Sequence, residues 1–206
     1  MKLPNSCYYC SASQFEKSEV KDKFPALKRN VYNLGIIGKN YDSKGIMFIL
    51  NRSDSRALNG IASGEGLFAK IHSEDSYVRA LRLSDTGRLL GWLTQYCGIS
   101  TDDVYITNAF KCLMPDDKDP KLKDYMICVD ILKKQVLDAK PKKIIVYGSK
   151  AAMVLLPERT QLDVSTGISM IYETPTMFMY HPRRLHDMKI QERQKYFIEI
   201  RNFLNE

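Results

Sequence analysis

Four short apolar runs, each closed by a polar or glycine turn, restrict the fold of this chain more than any other feature. They are Gly45–Leu50, Val104–Thr107, Lys143–Tyr147 and Thr176–Tyr180. A strand that faces water on one side alternates apolar and polar residues. Continuous apolar runs instead suit strands covered on both faces, as in a parallel sheet between helices. Helical patterns lie between and after the runs. Residues 86–97 carry Leu89, Leu90, Leu93 and Tyr96 on one stripe, with Gly98 as a stop. Tyr125, Cys128, Val129, Leu132, Val136 and Leu137 form a second stripe that ends before Pro141. A third helix opens at Gly148 with Ser149 as its cap, and a fourth runs from Ile190 to Leu204. Strand alternating with helix predicts a three-layer α/β/α domain with a central four-stranded, largely parallel sheet. Residues 1–206 are expected to form one such domain, and 1–44 an amino-terminal segment tied to it.

In sheets of this kind ligands bind beyond the carboxyl ends of the strands. That rule selects Asn51 to Asp54, Asn108 to Cys112, Gly148 to Lys150 and His181 to Leu185. Any one of these polar residues is most simply a turn or cap residue. Four such endings, one with an Asn and one with a His-Pro turn, point to a site.

Cysteine spacing adds a second constraint. Four of the five cysteines form two pairs, Cys7 with Cys10 and Cys112 with Cys128. Bringing them together closes a long loop, as a metal or iron-sulfur centre does when it ties a terminus to a core. Nothing near Met1 resembles a charged-then-apolar export signal, so a reducing, cytoplasmic setting is expected and a disulfide framework is disfavoured. Buried inert thiols are the competing reading of the pairs. Cys97 sits in an apolar helical run and is read as a core thiol. No run approaches the about 18 apolar residues of a membrane span, and nothing signals an oligomeric seam, so a monomer is expected. Thirty-one basic against 24 acidic residues give a net charge of +7, which suits a polyanionic partner without demonstrating one.

The segment Val104-Tyr-Ile-Thr-Asn108-Ala-Phe-Lys-Cys112-Leu-Met-Pro115 resembles the T-N-x-x-K-C-x-P motif of the iron-sulfur, or family 4, uracil-DNA glycosylases. Thr86-Gly-Arg-Leu-Leu, the stretch Gly98 to Val104 and Lys143-Ile-Ile-Val-Tyr-Gly148-Ser-Lys-Ala-Ala continue the likeness. Tyr180-His-Pro-Arg-Arg-Leu185 is similar to the family's H-P-x-x-L motif. With the cysteine pairs, the likeness covers most of the chain from residue 45 onward plus the amino-terminal pair.

The resemblance implies a glycosylase that acts on DNA containing uracil or another modified base, flips the nucleotide out and hydrolyses its N-glycosidic bond. It implies a 4Fe-4S cluster on Cys7, Cys10, Cys112 and Cys128, with zinc the alternative that four thiolates also satisfy. His181 is expected to stabilise the departing base. Asn108 is expected to read the uracil edge, since an amide offers both a donor and an acceptor. Asn51 would orient the attacking water, and Leu50, Arg52 and Asp54 would line the substrate, with Asp54 an alternative water-activating carboxylate. Pro182, Arg183, Arg184 and Leu185 would contact DNA, with Leu185 filling the gap left by the extruded base; the alternative is that Leu185 is simply the first core residue of the last helix. Ser149 and Lys150 would meet a phosphate at a helix amino terminus. A DNA-binding protein of the same fold with lost or altered catalysis is the alternative.

Two departures from the family pattern stand out. The first motif, typically G-E-x-P-G, here reads Leu50-Asn51-Arg52-Ser53-Asp54. The interval 52–85 is also longer than the family's and lacks its stacking phenylalanine. The stacking platform is left unassigned: Phe68, Tyr41 and Tyr77 are possible replacements, but a core role is the stronger reading of each, and the longer loop raises the chance that the substrate is a modified base.

Overall fold

The computed structural model of the protein describes residues 36–52, 85–111, 119–156 and 167–206. Strands are β1 (Ile36–Ile37), β2 (Ile46–Arg52), β3 (Val104–Phe110), β4 (Lys143–Tyr147), β5 (Gly167–Ile171) and β6 (Thr174–Met179). Helices are α1 (Tyr41–Lys44), α2 (Asp85–Cys97), α3 (Leu122–Ala139), α4 (Ser149–Leu155), α5 (Arg184–Asp187) and α6 (Ile190–Asn205).

The sheet has six strands in the order β1-β3-β2-β4-β6-β5. Its four central strands, the ones the apolar runs predict, are mutually parallel, and β1 and β5 are added antiparallel at the two edges. The expectation of four strands is therefore corrected to six, within the same three-layer α/β/α class. β1 also shows how residues 36–44 are held. Backbone pairing joins them to β3, and the Gly38 and Asn40 N–H groups donate to Val104 and Asp102 carbonyls at 2.9 and 2.7 Å.

Side-chain alternation sorts the core into two layers. Met47 and Ile49 of β2, Ile144 and Val146 of β4, and Phe178 of β6 face α3 and α4 with Tyr125, Leu132 and Val136. Phe48 and Leu50, Ile145 and Tyr147, and Met177 and Met179 face α2 and α6 with Leu89, Leu93, Phe197 and Ile200. Ring contacts tighten the second layer, where Tyr96 stacks on Phe197 at 5.2 Å between centroids. Cys97 is half-buried here, and its thiol donates to the Phe197 carbonyl at 3.4 Å. Burial pushes that thiol up to about 11, with Arg201 pulling the other way, so it stays protonated at neutral pH.

One polar group sits inside the first layer. Lys111, fully buried, donates through Nζ to Thr107 Oγ1 at 2.8 Å and to Gln135 Oε1. Gln135 Nε2 in turn donates to the Tyr105 hydroxyl at 2.9 Å. A charge taken from water is tolerable only where such acceptors replace the lost hydration. The network therefore fixes the end of β3 against α3, where Asn108 and the segment leading to Cys112 begin. Gln135→Leu removes the acceptor and is expected to lower stability by about 3 kcal/mol in urea unfolding. An unchanged midpoint would show that Lys111 does not depend on it.

Candidate functional site

The chain runs from β2 to β3 on one side, then crosses back over β2 to reach β4 on the other. Connections leaving in opposite directions open a crevice at the carboxyl end of β2, the usual ligand position in such sheets. The residues there are set by register. Leu50 pairs with Asn108, Ile49 with Val146, and Tyr147 with Met179. Asn51, Asn108, Gly148 and the Tyr180-His181 turn thus line one end of the sheet. Asn51 and Arg52 are the last residues of β2, and Asn108 lies within β3. Both strands run further than their apolar runs imply.

Asn51 has a structural task that its position after an apolar run does not reveal. Its Oδ1 accepts the Ala151 N–H at 2.9 Å. Ala151 is the third residue of α4, so Asn51 satisfies one of that helix's orphan donors from another strand. Ser149, expected as the cap, is instead the first residue of α4. The cap position belongs to Gly148, which has no side chain to give. Gly148 has φ +97°, and a Cβ there would lie 2.6 to 2.8 Å from the Asn51 amide atoms. Glycine is thus required twice, by its backbone angle and by the amide packed against it. The backbone donor also fixes which end of the amide faces the helix. Oδ1 is engaged, and Nδ2 carries two N–H donors that make no further hydrogen bond to a described residue.

Asn108 is on the opposite side. Pairing with Leu50 puts it on the layer of α2 and α6, where it is 4% exposed, while Asn51 lies on the layer of α3 and α4. The two amides therefore flank the strand ends from different faces.

His181 is exposed on the turn after β6. Its Nδ1 accepts the Arg183 N–H at 3.3 Å, and the Arg184 N–H closes the turn onto the His181 carbonyl at 2.9 Å. An accepting Nδ1 leaves the proton of the neutral ring on Nε2. Pro182 is buried and Arg183 is exposed. Arg184 stacks over the Tyr180 ring at 4.0 Å.

Leu185 corrects an expectation. It is fully buried among the side chains of the α2/α6 layer, because the short helix α5 turns it inward between exposed Arg184 and half-buried His186. It is a core residue here and does not project as a wedge. Arg52 and Lys150 are corrected in part. Both reach one carboxylate, with Arg52 Nε 3.0 Å from Asp119 Oδ1 and Lys150 Nζ 3.3 Å from Asp119 Oδ2. Burial raises the Asp119 carboxyl, but the Lys150 and Arg52 cations outweigh it and hold the group below the usual carboxylate range. Asp119 was not among the sequence-predicted residues, since a lone Asp before a proline carries no signal. Tyr41 is likewise excluded as a stacking platform. It is buried, donates to the Ala139 carbonyl at 3.1 Å and packs edge-on against Tyr105, at the far end of the strands.

Asp54, Phe68, Tyr77, Cys7, Cys10 and Cys112 lie outside the described residues. Cys128 is described and buried, one helical turn after Tyr125 on the sheet-facing side of α3. Burial raises the Tyr125 hydroxyl; Arg52 lowers it, and Asp119 and Cys128 raise it, which places Cys128 in the same neighbourhood as the Arg52–Asp119 pair. Among the described residues no group of three His, Cys, Asp or Glu side chains could hold a metal, and no helix is long and apolar enough to cross a membrane.

The model of the uracil DNA glycosylase superfamily matches residues 34–205, and the chain belongs to that superfamily. Within it, the chain is similar to the type-4 uracil-DNA glycosylase of Archaeoglobus fulgidus, 35% identical over 69 residues that cover 34% of this chain and 35% of that protein. The type-4 uracil-DNA glycosylase of Pyrobaculum aerophilum is 33% identical over 92 residues, covering 43% of this chain and 46% of the relative. That of Saccharolobus solfataricus is 32% identical over 82 residues, covering 39% and 38%. The matches thus span between about a third and a half of each relative's length.

Three substitutions test this geometry. Gly148→Ala should lower stability by roughly 1–3 kcal/mol from backbone strain alone. Adding Asn51→Ala should recover only the steric part, so a single mutant as stable as the parent would show that the amide does not pack there. Leu185→Ala should cost about 2–5 kcal/mol as a core truncation. Unaltered melting with faster release of DNA would restore the wedge.

Proposed function

We propose that the protein is a DNA glycosylase that excises uracil or another modified base and leaves an abasic site. The observation that carries this reading is the convergence of Asn51, Gly148 and the His181 turn at the carboxyl end of the central strands of a uracil-DNA-glycosylase-superfamily sheet. The target nucleotide must leave the stack, because C1′ is out of reach inside the duplex. As the C1′–N bond breaks, its electron pair goes to the base, and charge grows on the base oxygens. The Nε2–H of His181 is the donor suited to that charge, and it needs no prior protonation. Asn108, on the other face of the strand ends, supplies the amide that reads the base edge.

Water completes the reaction by forming the C1′–O bond and losing a proton. With Oδ1 committed to Ala151, Asn51 contributes its Nδ2 donors and so positions water or substrate without taking that proton. Asp54 is the nearby carboxylate in sequence that can accept it. The same commitment of Oδ1 favours the second reading, a DNA-binding protein of this fold with altered catalysis. Arg183 and Arg184 contact phosphates in either case, and Arg52 and Lys150 do so on release from Asp119.

Cys7, Cys10, Cys112 and Cys128 are proposed to hold a 4Fe-4S cluster, with zinc the alternative. Four thiolates suit either, and the buried Cys128, on a helix beside the strand ends, has the setting of a structural ligand. Such a group would supply no step of the hydrolysis; it would tie Cys7, Cys10 and Cys112 to Cys128 of α3.

Purified protein incubated with labelled oligonucleotides carrying uracil, hydroxymethyluracil, hypoxanthine or bulkier bases, then treated with alkali, should give strand breaks at one or more of them. DNA binding without any break would establish the second reading. His181→Ala should slow excision by about 10²–10³-fold with little loss of DNA binding. Metal analysis should find about four iron atoms per chain rather than one zinc.

A further inference from the structure

The strand ends leave a neighbouring group of cations without a role. On the first turn of α2, exposed Arg88 places Nη1 3.5 Å from His186 Nε2 of α5. The His186 ring lies 5.4 Å from that of Trp92, and Arg193, in the first turn of α6, stacks over the same indole at 4.7 Å. Arg184, two residues before His186, stacks over Tyr180 at the edge of the site. Basic and aromatic side chains therefore extend from the His181 turn, through α5, to the first turns of α2 and α6.

Two facts separate this line from an ordinary solvated surface. Arg88, Arg183, Arg184 and Arg193 form no ion pair with any described residue, whereas Arg52, Lys134 and Lys150 each do. Glu192, the acid nearest in sequence to Arg193, is used to accept the Lys189 N–H at 3.1 Å. In addition, Arg184 and Arg193 each rest over a ring, so less side-chain freedom is given up when the guanidinium meets an anion. Leu185, buried on α5, anchors the turn that carries Arg184 and His186.

We propose that Arg88, His186 and Arg193, framed on Trp92, form a phosphate-binding ridge for the DNA backbone flanking the target nucleotide. The inference rests on the glycosylase-site reading for its orientation. Its occupant is a polyanion by charge, and a nucleic-acid backbone by continuity with the His181–Arg184 turn. The ridge sets how strongly undamaged DNA is held and takes no part in bond cleavage.

The test uses the full chain and unmodified duplexes, with affinity followed by fluorescence anisotropy across a salt series. Each phosphate that is no longer neutralised should reduce the slope of log affinity against log salt by about 0.9, so Arg88→Gln with Arg193→Gln should reduce it by about 1.8. Lysine at both positions should restore most of the slope. Single-turnover excision at saturating substrate should stay within about twofold of the parent. Exposed Arg88→Gln alone, which removes no packing, should give about half the slope change. An unchanged slope in both variants overturns the ridge, as does weaker binding that only follows loss of folded protein. Because the ligand is undamaged DNA, the outcomes separate: altered slope without excision of any base defeats the glycosylase reading alone, and excision with unaltered slope defeats the ridge alone.

Discussion

The hydrogen bond from the Ala151 N–H to Asn51 Oδ1 ties together the parts on which the site depends. It joins β2 to α4 across one hundred residues of sequence, and it does so beside Gly148, whose N–H is itself bonded to the Met179 carbonyl at 2.9 Å. Three of the four central strands thus meet at one glycine. If the amide shifts, α4 loses a cap, the β4–α4 turn loses its reason for a positive φ, and the end of β6, which carries the His181 turn, loses a neighbour. This helps explain how a chain without the glycines and proline usual in the first motif keeps an ordered crevice. Local geometry is supplied from the far side, by the glycine between β4 and α4.

The central strands were legible because burial on both faces writes an unbroken apolar run. The edge strands were not. β1 is two residues long, and β5 exposes Ile168 and Met170 at 56% and 58%, so neither leaves the pattern of a covered strand. Strand ends were read short for a related reason. Asn51 and Asn108 interrupt the apolar run, yet both continue the hydrogen-bonded ladder, as a polar residue can where the sheet opens onto a crevice.

Of the site, the sequence located the four endings but not the tasks of the side chains. Asn51 as a distant cap, Asp119 as a bridge and Leu185 as core are all through-space facts with no local signature. In a His-Pro-x-x-Leu turn, an inward and an outward leucine look alike until the helix that receives the side chain is in place. Arg88 lay inside a motif already quoted for its likeness, and its meaning came only from His186 and Trp92 beside it.

If the protein is the glycosylase proposed above, the Asp119 bridge has a consequence for how DNA is held. A carboxylate that already occupies Arg52 and Lys150 mimics the phosphate those cations would otherwise seek. A passing strand would have to evict this built-in decoy before it gained either cation, and on leaving would be replaced at once by a group that never diffuses away. Such self-competition lowers the grip on ordinary backbone while leaving the cations in place for a ligand that brings other contacts with it. On that reading the protein would be biased toward brief visits to undamaged DNA and longer stays where a base can enter the crevice.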